Sequence, residues 1–89
     1  MTKFTIDGTN LRFQIKDLVL MFMKSTDECS VNGEGLKQAE IFRECGLDWG
    51  TYENATSSNQ QYWIVGLLRD LEKDGLVQKD IATKKWRLK

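Results

Sequence analysis

Eighty-nine residues, 40 % hydrophobic and 29 % charged, fit one small soluble domain with a thin core and exclude a disordered chain. Thirteen basic and thirteen acidic groups cancel, so the chain lacks the net positive charge common among free-standing DNA binders. With no histidine and two cysteines outside any C-x-x-C pair, neither a four-ligand zinc site nor a redox motif is expected.

The charge is unevenly spread. Residues 1–24 carry four basic and two acidic groups, residues 25–56 two and seven, residues 57–74 two and three, and residues 75–89 five and one. The middle is therefore acidic and the C-terminal end basic. Cys29 and Cys45 read as buried free thiols in a reducing cytosol. Neither a signal-like start nor an apolar run of membrane-spanning length is present, which predicts a cytoplasmic protein without membrane contact.

In chain order, Phe4-Thr5-Ile6-Asp7-Gly8 alternates apolar and polar residues and ends on a turn signal, predicting a short N-terminal strand or an ordered arm. Ile15, Leu18, Val19 and Phe22 follow the i, i+3, i+4, i+7 template, predicting a first helix from Leu11 to about Lys24, capped by Thr9 or Asn10. Phe13, Leu20, Met21 and Met23 lie on its other face. A helix apolar nearly all round is either central to the core or shared with a partner chain, so a homodimer through this helix is one expectation.

Ser25 to Gly35 is polar, with turn signals at Asn32-Gly33 and Gly35. A second helix is predicted from about Leu36 to Cys45, burying Ala39, Ile41, Phe42 and Cys45 and capped by Gly46. Residues 47–56 read as a loop in which Trp49 and Tyr52 plug the core. The third helix opens on two overlapping capping boxes, Ser57-x-x-Gln60 and Ser58-x-x-Gln61. Ile64, Leu67, Leu68 and Leu71 form its buried stripe and Asp74-Gly75 stops it. A strand over 76–81, a turn at Ala82-Thr83-Lys84 and a returning strand over 85–88 complete the chain.

Leu67-Leu68-Arg69-Asp70-Leu71-Glu72-Lys73-Asp74-Gly75-Leu76-Val77 resembles the end of a winged-helix recognition helix, and Trp86-Arg87-Leu88 resembles the second strand of the wing. Short winged domains attached to certain restriction endonucleases have a similar ending. The resemblance covers about residues 36–89. It implies an α+β winged helix-turn-helix, three helices followed by a C-terminal two-stranded β-wing, in a single domain of residues 1–89. One departure is the link between the second and third helices, about ten residues where three or four are usual.

The helical wheel adds a test independent of family. At roughly 100° per residue, Ser58, Asn59, Tyr62, Gly66, Arg69 and Lys73 lie opposite the buried stripe. Amides such as Asn59 match the two-point edge of adenine, and Ser57, Ser58 and the exposed N–H groups of a helix start suit phosphate. Gly66 permits close approach of a nucleic-acid backbone or tight packing on a neighbouring element. Lys79, Lys84, Lys85 and Arg87 of the wing, with Lys89, either reach phosphates or form a solvated edge that resists strand pairing. Trp63 and Trp86 read as core, because so small a domain needs its large side chains for packing.

Catalysis is not expected, since the chain has no histidine for acid–base work, no glycine-rich phosphate loop and no nucleophile elbow. The function expected is cofactor-free binding of double-stranded DNA, as in transcription regulation. The third helix would enter the major groove and the basic wing would hold the backbone. The competing expectation is a winged-helix protein-interaction module whose partner meets Trp49, Tyr52 and the acidic stretch 25–56.

Overall fold

A computed structural model of the chain describes residues 2–47 and 65–89. The described residues form three α-helices and a C-terminal two-stranded antiparallel sheet: α1 (Lys3–Lys24), a 3₁₀ turn (Asp27–Cys29), α2 (Gln38–Glu44), α3 (Val65–Lys73), β1 (Val77–Lys79) and β2 (Trp86–Leu88). The chain is thus α+β, in the order that the sequence predicts for its three helices and hairpin.

The N-terminus differs from expectation. No strand or arm forms over residues 4–8, because α1 starts at Lys3 and runs unbroken through Gly8. Thr2, not Thr9 or Asn10, is the cap: its hydroxyl oxygen accepts from the Thr5 N–H at 3.2 Å. The Thr9 hydroxyl instead donates back to the Thr5 carbonyl at 2.8 Å. The alternation of Phe4, Thr5 and Ile6 is a local strand signal, but continuing a helix already nucleated further along adds one hydrogen bond per residue fixed. Gly8 costs that continuation about 1 kcal/mol relative to Ala without ending it.

Only the C-terminal half of α1 enters the core. Val19 and Met23 are fully buried, Ile15, Leu20 and Phe22 are half-buried, and Leu18, expected inside, is 43 % exposed. Met23 takes the place given to Leu18 because the buried face is centred on Val19 and turns towards residue 23. Around this half gather α2, α3, the 3₁₀ turn and β2. Ile41 and Phe42 of α2, Leu67, Leu68 and Leu71 of α3, Val77 of β1, Trp86 of β2 and Cys29 complete the cluster. Trp86 packs in the core as expected, only 3 % exposed.

Both α2 and α3 end in the same motif. Leu47 N–H reaches the Phe42 carbonyl and Gly46 N–H the Arg43 carbonyl; Leu76 N–H reaches Leu71 and Gly75 N–H reaches Glu72. These paired bonds satisfy the last carbonyls of each helix and turn the chain through a left-handed residue. At Gly75 that residue has φ +79°, a conformation costly for any residue with a Cβ. The turn delivers the chain directly into β1.

The hairpin is shorter than predicted, 77–79 with 86–88 rather than 76–81 with 85–88, because the Asp80 side chain starts the turn (see below). Val77 pairs with Leu88, Gln78 with Arg87 and Lys79 with Trp86. One further pairing lies outside the sequence reading. Leu36, expected as the first residue of the second helix, forms a bridge with Trp86 through N–H···O bonds of 3.0 and 2.7 Å. It thereby adds a single rung to the open edge of β2. Gly35 allows this approach, since a Cβ there would stand 2.7 Å from the Trp86 carbonyl oxygen.

Candidate nucleic-acid interface

The third helix separates cleanly into two sides over the part described. Leu67, Leu68 and Leu71 face the core, while Gly66, Arg69 and Lys73, three and four residues apart, are exposed on the opposite arc. Asp70 and Glu72 are exposed on its flanks. A Cβ on Gly66 would meet nothing within 4 Å, so tight packing on a described neighbour does not explain this glycine. Ser57, Ser58, Asn59 and Tyr62, with the capping boxes, Trp63 and Ile64, lie outside the described residues. The same holds for the loop aromatics Trp49 and Tyr52.

The hairpin is tied into a defined shape by Asp80. Its Oδ1 accepts from the N–H groups of Ala82 at 2.8 Å and Thr83 at 3.1 Å, while its carbonyl accepts from Lys84 N–H at 2.7 Å. Those two backbone donors to the carboxylate, with a lesser contribution from the Arg87 guanidinium, hold the Asp80 carboxyl below its ordinary range. Lys84 sits at φ +60° in the tip, and the Asp80 N–H donates to the Lys85 carbonyl at 2.8 Å where the strands converge.

The five C-terminal cations therefore fall into two groups. Arg87 lies 3.6 Å from Asp80 Oδ2, and the Lys79 ammonium stands 5.6 Å from the Trp86 ring centroid, so both are engaged within the hairpin. Lys84, Lys85 and Lys89 have no ion-pair partner among the described residues, and the same is true of Arg69 and Lys73 on α3. Asp74, adjacent to Lys73, is instead neutralised by Lys16 of α1 at 3.2 Å. Arg69 and Lys73 on α3, where Asp70 and Glu72 are also exposed, and Lys84 and Lys85 in the hairpin thus stay free of ion pairs among the described residues although the chain as a whole is neutral. The sequence reading missed Ile81, which stands 91 % exposed in the hairpin turn beside these cations. Its only signal was an apolar residue immediately before Ala82-Thr83-Lys84.

Beside the Leu36 bridge to β2, Phe22, Thr26, Leu36 and Arg43 line a groove of about 460 Å³ together with Glu28, Glu40 and Glu44. This is the acidic segment in spatial form. The two thiols nearby are poor nucleophiles: burial raises the Cys29 pKa, and burial then Glu44 push Cys45 up to about 11. Among the described residues, no group of three His, Cys, Asp or Glu side chains is placed to hold a metal ion, and no helix is long and apolar enough to cross a membrane. No family model, curated protein or solved structure matches the chain.

Proposed function

We propose that this chain is a small winged-helix protein that binds double-stranded DNA, with the third helix in the major groove and the wing on the phosphate backbone. The observation that carries the reading is a set of cations without an ion-pair partner among the described residues, on two successive elements: Arg69 and Lys73 on the outer arc of α3, Lys84 and Lys85 on the hairpin that follows it. Helix, single bridge, helix, helix and hairpin is an order compatible with a winged-helix layout. Salt-dependent attraction to phosphate needs only local positive charge, so a neutral total is no obstacle in itself. In this arrangement Arg69, Lys73, Lys84 and Lys85 contact phosphates. Asn59 and Tyr62, which the sequence assigns to the third helix and which lie outside the described residues, would meet the base edges. Arg87 and Lys79 act indirectly, by shaping the wing.

The acidic groove supports a second reading, a module that docks a basic protein segment against Glu28, Glu40 and Glu44. Titration of fluorescently labelled duplex DNA at low and moderate salt distinguishes the two. DNA binding requires affinity that falls steeply with salt, and a shallower salt slope, by about one unit per lost phosphate contact, in the Arg69→Ala/Lys85→Ala variant. Absence of binding at low salt would overturn the DNA reading.

A further inference from the structure

The N-terminal half of α1 is the part of the fold least explained by the core. Phe4 is 83 % exposed, Leu11 58 % and Leu18 43 %, seven residues apart along one line of the helix. Gly8, Ile15 and Phe22 alternate with them, giving the sequence 4, 8, 11, 15, 18, 22, a strict four-three repeat over 19 positions. A 3.5-residue repeat is the seam of a left-handed coiled coil. The domain's own packing covers this line only partly and only at its C-terminal end, at Ile15 and Phe22.

Charge identifies both occupant and direction. With Gly8, Ile15 and Phe22 at the first core position of each heptad and Phe4, Leu11 and Leu18 at the second, Asp7 and Arg12 take the two flanking positions. In a parallel pair each flanking residue faces the one five positions further along the partner, so Asp7 meets Arg12 of the other helix, twice by symmetry. An antiparallel pair would set Asp7 and Arg12 against their own kind of position. Within one chain neither residue has an ion-pair partner among the described residues. Gly8 presents open space at the seam, with nothing within 4 Å of a Cβ placed there, so two backbones can approach closely. The neighbouring line, with Ile6 and Phe13 exposed and Leu20 half-buried, has Asn10 and Asp17 at its intervening positions and forms no such seam.

We propose that the chain forms a parallel homodimer through this α1 seam. The core-facing side of α1, centred on Val19, lies to one side of the seam, so the two domain bodies stand on opposite sides of the paired helices and each keeps its α3 and hairpin. The dimer goes beyond the DNA reading and does not depend on it.

Light scattering coupled to size-exclusion chromatography, without DNA, should give twice the 10.3 kDa mass of one chain. Leu11→Asp should return the single-chain mass while circular dichroism retains the folded spectrum, since Leu11 lies outside the core. Arg12→Glu should weaken dimerisation roughly fivefold to tenfold, and adding Asp7→Lys to it should restore the dimer. A single-chain mass at all accessible concentrations, a dimer indifferent to Leu11→Asp, or failure of the double charge swap to restore what Arg12→Glu weakens would each overturn the proposal.

Discussion

The two ends of the chain dispose of their apolar residues in opposite ways. The C-terminal hairpin buries Val77 and Trp86, is locked on one side by Leu36, and carries Lys84 and Lys85 without an ion-pair partner among the described residues. The first three turns of α1 leave Phe4, Ile6, Leu11 and Phe13 in the open. Isolated exposed apolar groups such as Ile81 need no partner, whereas uncovered apolar groups in a regular line call for another apolar surface. The difference separates two kinds of surface on one small chain, a charged one at the C-terminal end and an apolar one at the N-terminal end.

The largest consequence is in stability. Trp86→Ala should lower the unfolding free energy by about 3–5 kcal/mol in a urea titration, because it opens a cavity where α1, the 3₁₀ turn and the hairpin meet. Phe13→Ala, at a side chain of comparable kind on the exposed helix, should change it by no more than about 0.5 kcal/mol. Equal losses would erase the distinction between the two ends.

Glycines sharpen it further. At φ +79° Gly75 is the turn into β1, so Gly75→Ala should cost about 1–2 kcal/mol by the same titration. Gly8→Ala acts in the other direction, adding up to about 1 kcal/mol to the helix, because a Cβ there meets open space within one chain. Loss of helix content in the Gly8 variant would contradict the helical path of the N-terminus.

The smallest effect is a pH dependence confined to the wing. The folded Asp80 pKa lies below the ordinary 3.8, so this carboxylate stabilises the hairpin fully above pH 3.8 and loses that contribution as the pH falls through the folded value. Amide exchange at Ala82, Thr83 and Lys84 should accelerate, beyond intrinsic rates, as the pH falls below 3.8, and Asp80→Asn should abolish the difference. Unchanged protection would mean that the Asp80 carboxylate does not hold the turn.

Elements whose signals are local were legible in the sequence. Asp74-Gly75 marks a helix stop wherever it falls in a fold, and Leu67, Leu68 and Leu71 name their own buried side. The Leu36–Trp86 bridge was not legible, because one rung joining residues fifty apart leaves no pattern at either position. The start of α1 was misread for a related reason: a short alternation and one glycine outweighed a helix whose continuation is decided further along the chain. At the candidate interface the cations could be read from sequence, but not their employment. Only the register that brings Arg87 near Asp80 and Lys79 over Trp86 separates shaping residues from free ones.

Nuclear magnetic resonance of the labelled full chain during titration with duplex DNA tests the proposed DNA interface most directly. The account predicts shift changes concentrated at Gly66, Arg69 and Lys73 of α3 and at Lys84 and Lys85 of the hairpin, with Phe4 to Phe13 little affected. Changes centred on Glu28, Glu40 and Glu44, or none at any residue at low salt, would contradict it.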